Sequence, residues 1–299
     1  MTTPLPGQPL DLAPGLRAVL APNPSPMTAN GTWSYLVGDA ADLALIDPGP
    51  DDPAHVAALL AALRPGQRIG TILVTHAHRD HTGATPALAR ATGAPVLAFG
   101  RAHEGRRPIM EALAARNPGG GTEGTDAGFR PDRRIADGEV IAGEGWRLTA
   151  LHTPGHLSGH LCFLWGDSAF SGDHVMGWNS SIVAPPDGDM GAYMTSLDRL
   201  AATGATRLWP GHGAPVPNAQ GRIAALSAHR RAREAAVLEQ VSKSPATANE
   251  ITEAVYLDLP RAALPAAALN VLAHLIDLTE RDLAAPEGPL SRAARFHLR

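Results

Sequence analysis

Metal-binding side chains crowd into one short stretch of this chain, Thr75-His76-Ala77-His78-Arg79-Asp80-His81-Thr82-Gly83, where three imidazoles and a carboxylate fall within six residues. Such donors suit Zn²⁺ and also iron or manganese. They converge only if the chain turns tightly around a common point. Three further fragments, Thr153-Pro154-Gly155-His156, Phe170-Ser171-Gly172-Asp173-His174 and Pro210-Gly211-His212-Gly213, each set a histidine or aspartate just after an apolar run. Gly155, Gly172, Gly211 and Gly213 let the backbone approach a centre that a side chain would obstruct. His174 reads as packing beside Asp173, because neighbours at a strand end point to opposite sides. His152 and His160 are candidates to hydrogen-bond ligand side chains, and Asp47 is either a turn residue or an orienting partner of His76 or a neighbouring ligand. His103, His229 and His297 read as surface residues, and Cys162, the single cysteine, as a small core residue.

Apolar spacing supplies the elements that would position these groups. Strands are expected at 16–20, 33–38 and 43–49, a helix over 52–63 capped by Asp51 or Asp52, and a strand over 69–74 whose closing Ile72-Leu73-Val74 run suits burial on both faces. His76 then starts at the carboxyl end of a buried strand. A helix over 85–92 and a strand over 95–99 continue the rhythm of an α/β layer arrangement. Residues 101–134 break it with a helix over 108–116, the Pro118-Gly119-Gly120-Gly121 run and an arginine-bearing polar stretch, either a loop shaping a pocket mouth or an insertion. Strands at 146–151, 161–165 and 169–171, a helix at 190–200 and a strand at 208–210 complete a first domain, 1–219, for which two sheets with outer helices is the economical arrangement. Residues 220–299 form a second domain, with helices over 220–240, 247–255 and 265–282 and a strand-turn-strand over 283–298, a winged-helix-like pattern.

The 299 residues are 44% hydrophobic and 18% charged, which excludes global disorder, and 31 glycines with 27 prolines argue against a coiled coil. A net charge of −4, with Lys243 the single lysine, gives no global reason to bind nucleic acid. The first 20 residues hold neither a basic leader nor an apolar segment, and no run of about 18 apolar residues stands out. A cytoplasmic protein without a membrane partner is expected; homodimerisation is left open.

With these motifs in place, the chain resembles the metallo-β-lactamase superfamily over residues 30–219. The resemblance implies an α/β four-layer αββα sandwich with a metal site at its upper edge. It implies that His76, His78 and His156 hold one divalent metal, that Asp80, His81 and His212 hold a second, and that Asp173 bridges them. Zinc is the first expectation for both ions, with iron or manganese as alternatives. Because Asp80 and His81 are both present, the resemblance implies the two-metal hydrolytic form, whereas diiron oxygen-reducing relatives carry an acidic residue where this chain has His78. Two cations about 3.5–4 Å apart can hold a bridging hydroxide near neutral pH while the more open one polarises the oxygen under attack. Asp80 and Asp173 are then the catalytic carboxylates, Asp80 also orienting the hydroxide, and no general acid is evident. Gly31-Thr32, Tyr35-Leu36-Val37, Ser171-Gly172-Asp173, Tyr193 and the C-terminal winged-helix-like module resemble the β-lactamase-like protein 2 branch near glyoxalase II. Trp33-Ser34 and His174 depart from that branch.

The expected partner is a small acyl compound, a thioester or another activated ester, with Arg106, Arg107, Arg130, Arg133 or Arg134 as the cations that would receive its acidic group. The alternative is a metal-dependent endoribonuclease on single-stranded RNA, with phosphate contacts from Arg222, Arg230, Arg231 and Arg233 and from Arg292, Arg295 and Arg299. A non-enzymatic binding module with a vestigial metal site is the third reading, disfavoured by the complete ligand set. Trp33, Trp178 and Tyr193 are candidates for lining the pocket.

Overall fold

A computed structural model describes residues 4–116 and 124–299; the Pro118-Gly119-Gly120-Gly121 run lies outside them. The first sheet takes seven strands in sequence order: β1 (Pro9–Ala13), β2 (Leu16–Leu20), β3 (Trp33–Val37), β4 (Asp42–Ile46), β5 (Arg68–Leu73), β6 (Val96–Ala98) and β7 (Arg133–Arg134). Strands β1 to β4 pair antiparallel and β4 to β7 parallel. Parallel neighbours need crossovers. These carry α1 (Pro53–Ala61), α2 (Arg79–Thr82) with α3 (Thr85–Thr92), and α4 (Pro108–Arg116). The second sheet holds β8 (Val140–Gly143), β9 (Trp146–His152), β10 (Leu161–Trp165), β11 (Ser168–Gly172) and β12 (Arg207–Pro210) in the order β12-β11-β10-β9-β8. It is antiparallel except for the β11–β12 pair, whose crossover is α5 (Met190–Ala202).

A period of two explains why the sheets face each other. Leu16, Ala18, Leu20, Tyr35, Val37, Ala44 and Ile46 point between the sheets and meet Leu148, Phe163 and Phe170. The alternate residues Val19, Leu36, Leu43 and Leu45 point outward, onto Leu59 of α1 and Leu88 of α3. On the far side Cys162 and Ala169 pack against Tyr193, Leu197 and Leu200 of α5. The layers are therefore helix, sheet, sheet, helix, the αββα arrangement. Asp52 caps α1 by accepting from Ala54 N and His55 N, and Asp189 caps α5 by accepting from Ala192 N. The half-exposed β1 has too weak an apolar pattern to stand out in the sequence.

The remaining residues form α6 (Ala219–Lys243), α7 (Ala248–Val255), α8 (Leu264–Glu280) and a small sheet of β13 (Ala246–Thr247), β14 (Ala284–Pro286) and β15 (Arg295–Leu298), with β15 in the middle. Thr247 and Glu250 make a reciprocal cap at the start of α7. Ile223 and Leu226, early in α6, join the core under the second sheet. Val237 and Val241, later in it, join Val271, Leu275 and Phe296. The run Arg261–Glu280 is long and apolar enough to cross a membrane by composition, which corrects the expectation that no such stretch exists. Its Val271, Leu272, Leu275, Ile276 and Leu278 are nevertheless buried in this C-terminal core. The 101–134 segment is no free insertion: Met110 and Leu113 of α4 enter the same C-terminal core, while Thr125 pairs with His78 and Asp126 lies at the cavity beside Asp80.

The Phe170 ring is 1% exposed and lies 5.1 Å from the Tyr35 ring between the sheets. Phe170→Ala is expected to cost about 3–5 kcal/mol of stability, measured by guanidinium unfolding with an unchanged denaturant slope.

Candidate metal centre

Every candidate ligand stands just beyond the carboxyl end of a strand or in the turn that follows it. His76, His78, Asp80 and His81 follow β5, with His78 at the N-terminus of α2; His156 follows β9, Asp173 follows β11 and His212 follows β12. Both sheets thus deliver ligands to one edge. The structure brings the donor atoms into two groups, His76, His78, His156 and Asp173, and Asp80, His81 and His212, each within 4.8 Å. Asp173 reaches both. Its Oδ1 is 3.5 Å from His81 Nε2, and its Oδ2 is 3.3 Å from His212 Nε2 and 3.8 Å from His156 Nε2.

The outer hydrogen bonds determine which nitrogens point inward. Thr75 Oγ1 donates to Asp47 Oδ2 (2.8 Å) and so accepts from His76 Nδ1 (3.0 Å), leaving His76 Nε2 bare. His156 Nδ1 donates to Ile182 O (2.7 Å). Both bare Nε2 atoms then lie 3.0 Å from His78 Nδ1. Burial holds His76 well below the ordinary histidine range and His78 down at about 3, with neighbouring imidazoles adding to the effect. His76 and His78 are therefore neutral imidazoles. In the other group His81 Nδ1 donates to Asp47 Oδ2 (2.8 Å), His212 Nδ1 to Gly31 O (3.2 Å) and Thr32 Oγ1 to Asp80 Oδ2 (3.0 Å). Burial would lower His81 and His212, but the carboxylates override it. Asp80, Asp47 and Asp173 raise His81 well above its usual value, and Asp173 with Asp80 raises His212 to about 9. Asp173 is in turn held well below the carboxylate range, His212 and His81 outweighing its desolvation.

The set fits divalent cations. His81 Nε2 and Asp173 Oδ1 are buried without a hydrogen-bond partner, the condition of atoms whose partner is an ion. A Cβ on Gly211 would come within 2.5 Å of Asp173 Oδ1 and 2.7 Å of His81 Cε1, so this approach admits only glycine. Nitrogen and oxygen donors in two groups that share one carboxylate match a dinuclear site for zinc, iron or manganese. Asp47 adopts φ +53°, a left-handed conformation that aspartate tolerates better than most residues, and is fixed there by accepting from Thr75 N (2.7 Å), Thr75 Oγ1 and His81 Nδ1.

Other candidates fall elsewhere. His160 Nε2 accepts from the Asp173 backbone N–H (3.2 Å) rather than bonding a ligand side chain, and His152 stacks on Phe99 at 4.1 Å and bonds Ser158 O. His174 is buried against Tyr193, ring centroids 4.9 Å apart. Trp33 and Tyr193 do not line a pocket: they are 5% and 0% exposed, with Trp33 Nε1 donating to Gly213 O and Tyr193 Oη to His174 O. Trp178 is 43% exposed and lies against Gly213, beside His212. The arginines expected to receive an acidic substrate are occupied. Arg106 bonds Asp187, Arg107 bonds Asp189 and Glu280, Arg133 bonds Glu139, Arg134 pairs with Glu104, and Arg130 bonds the carbonyls of Ala127 and Phe129. Thr75 escapes sequence reasoning despite adjoining His76, and Thr32 carries only a motif signal.

Residues 27–212 match the model of the metallo-beta-lactamase superfamily, and residues 247–290 match that of the beta-lactamase associated winged helix domain. The chain is 31% identical over 270 residues to the beta-lactamase-like protein 2 homolog of Drosophila melanogaster, an alignment covering 87% of this chain and 86% of that one. It is 32% identical over 268 residues to an Aspergillus fumigatus protein named atrochrysone carboxyl ACP thioesterase, covering 83% and 76%. A solved metallo-beta-lactamase family protein from Thermus thermophilus superposes with a TM-score of 0.75 at 28% identity, covering 97% of this chain and all of that one (100%).

Two outcomes follow. Asp47→Ala should weaken metal affinity about 10–100-fold without removing a ligand, read by competition with a chromogenic chelator. In the metal-free chain His81 and His212 hold protons at pH 7, since both are raised. Their stabilising pairing with carboxylates is full below the unfolded histidine value of about 6.5 and is lost as pH rises through the folded one. Metal binding at pH 7 should therefore release protons, seen as a binding heat that changes with buffer ionisation enthalpy.

Proposed function

We propose that this chain, which belongs to the metallo-beta-lactamase superfamily, is a metal-dependent hydrolase whose substrates are thioesters or other small activated esters. The carrying observation is the pair of donor groups joined by Asp173 beside one solvent-facing ligand. His76, His78, His156 and Asp173 would hold one cation, and Asp80, His81, His212 and Asp173 the other, zinc being our first choice for both. Two bound cations would supply an acidified water as nucleophile and a Lewis acid for the carbonyl oxygen.

The chain's own residues direct the reaction. The Asp80 side chain is 25% exposed, whereas those of Asp173 and His212 are 9% and 1% exposed, so substrate approaches from the Asp80 side. Thr32 fixes one Asp80 oxygen, leaving the carboxylate oriented to accept a proton from an attacking water. A cavity of about 410 Å³ adjoins Asp80, lined also by Pro50, Asp51, Arg79, Gly83 and Asp126, and the exposed Arg79 is its one cation. Trp178, exposed beside the His212 turn, offers an apolar surface for an acyl chain.

Leaving-group chemistry favours a thioester. His152, His160 and His174 are engaged or turned away from the centre, so none of these three histidines is placed to protonate a departing alkoxide. A thiol of pKa about 8.5 leaves as thiolate without one. The similarity to a protein named as an ACP thioesterase agrees with this reading. The nuclease reading loses most of its proposed phosphate contacts to the chain itself. Arg222, Arg230 and Arg292 bond backbone carbonyls, Arg233 lies 4.4 Å over the Tyr256 ring, and Arg295 and Arg299 pair with Glu250 and Asp282.

The test is thiol release from acyl-pantetheine and S-acylglutathione thioesters by the zinc-loaded chain, with single-stranded RNA cleavage measured in parallel. Hydrolysis is expected, with kcat/KM lowered more than about a hundredfold in Asp80→Ala, since losing a ligand exceeds losing an outer partner. Thiol release no greater than that of Asp80→Ala would overturn the thioester reading, and RNA cleavage by the same preparation would replace it with the nuclease.

A further inference from the structure

Residues 176–186 run from just after Asp173 toward α5, and the C-terminal residues hold this loop by its carbonyl oxygens. Arg222 of α6 donates through Nε to Met176 O (2.8 Å) and through Nη2 to Asn179 O (2.6 Å). Arg230 of α6 donates through Nη2 to Ser181 O, and Arg292 donates to Pro185 O (3.3 Å). Asn270 of α8 accepts on one oxygen from both Val183 N (3.0 Å) and Arg230 Nη1 (3.1 Å). The loop in turn touches two metal-ligand residues: Ile182 O accepts from His156 Nδ1 (2.7 Å), and the Ser181 hydroxyl donates to Asp173 O.

Arg230 is the telling residue. It is 2% exposed, no carboxylate among the described residues pairs with it, and its charge lies 5.2 Å over the Tyr193 ring. Burying a guanidinium without a counter-ion is unfavourable. An apolar side chain would pack α6 against α5 without that cost, but could not grip Ser181 O and Asn270 at once.

We propose that Arg230 and Asn270 are positioning residues of the metal centre, and that through the 176–186 loop the C-terminal helices aim His156 and seat Asp173. Ile182 O selects the His156 tautomer that leaves Nε2 bare and fixes the plane of its ring, so a loop that relaxes loses both. The group containing His156 is affected before the Asp80, His81 and His212 group, which has no bond to this loop. This rests on the metal reading of the site and is independent of the substrate.

The experiment compares full-length wild type, Asn270→Ala and Asn270→Asp, each loaded with zinc and dialysed to equilibrium against graded chelator, with metal per chain counted. The cobalt-substituted absorption spectrum is the second readout. Asn270→Ala strips Val183 N and Arg230 Nη1 of their shared acceptor; Asn270→Asp keeps it. Wild type should retain two metals per chain. Asn270→Ala should give up one of them at about tenfold lower chelator, with an altered cobalt spectrum, and Asn270→Asp should restore both. If Asn270→Ala does not fold, Ser181→Ala, which removes a single hydroxyl from the same relay, is measured with the same expectation. Wild-type metal retention and an unchanged cobalt spectrum in a folded variant would overturn the proposal alone. A wild-type chain that retains no metal would overturn the metal assignment and the proposal with it.

Discussion

The structure depends on keeping like-natured donor atoms at one point against their mutual repulsion. His76 and His156 face bare nitrogens toward His78, and Asp173 inserts a buried carboxylate between them and the His81–His212 side. None of these atoms would stay so placed on a compliant loop. Asp47 answers that problem from behind: one carboxylate holds His81 directly and His76 through Thr75, which ties ligands of both groups to one rigid strand end. With two divalent cations bound, the carboxylates of Asp47, Asp80 and Asp173 would offset most but not all of the added charge, leaving the centre attractive to an anionic nucleophile or an electron-rich carbonyl.

Two sheets are needed because no single element presents seven donors on one side. The first supplies a ligand-dense turn after β5, and the second supplies three separate strand ends. The isolated pairing of Thr32 with His212 joins the edges of the two sheets where the donors meet. Gly211 allows this closure because any side chain there would meet Asp173 and His81.

Much of the centre was legible in sequence because histidine and aspartate announce their chemistry by type, and a strand end following an apolar run says where each begins. The same residue-level reading could not decide Asp47. Asp-Pro-Gly is a turn signal in any context, and only the pairing of Ile46 with Leu73 sets Asp47 beneath the ligand turn. Trp33 and Tyr193 misled for a related reason. An aromatic residue in the sequence carries no mark of which face of its element is covered, and both rings are buried in packed layers. The arginines of α6 were harder still. Charge on an amphipathic helix reads as a solvated face or a phosphate contact, whereas their partners are carbonyls of an aperiodic loop that leaves no pattern in the sequence. Residues 108–116 were recognisable as a helix, but not that Met110 and Leu113 would be buried by residues of α6 and α8.

The wide spacing of the ligands along the chain also bears on how the molecule reaches its native state. During N-to-C synthesis the His76–His81 turn emerges early, the Asp173 and His212 turns much later, and Asn270 later still. Contacts of such sequence separation must overcome their chain-closure entropy before they contribute anything, and parallel pairings such as β11 with β12 form slowly. The early turn alone offers an incomplete and flexible chelate. Metal capture at full affinity is therefore a late event, coincident with the closing of the second sheet and the docking of the last helices, so an ion at the centre marks a chain that has finished folding.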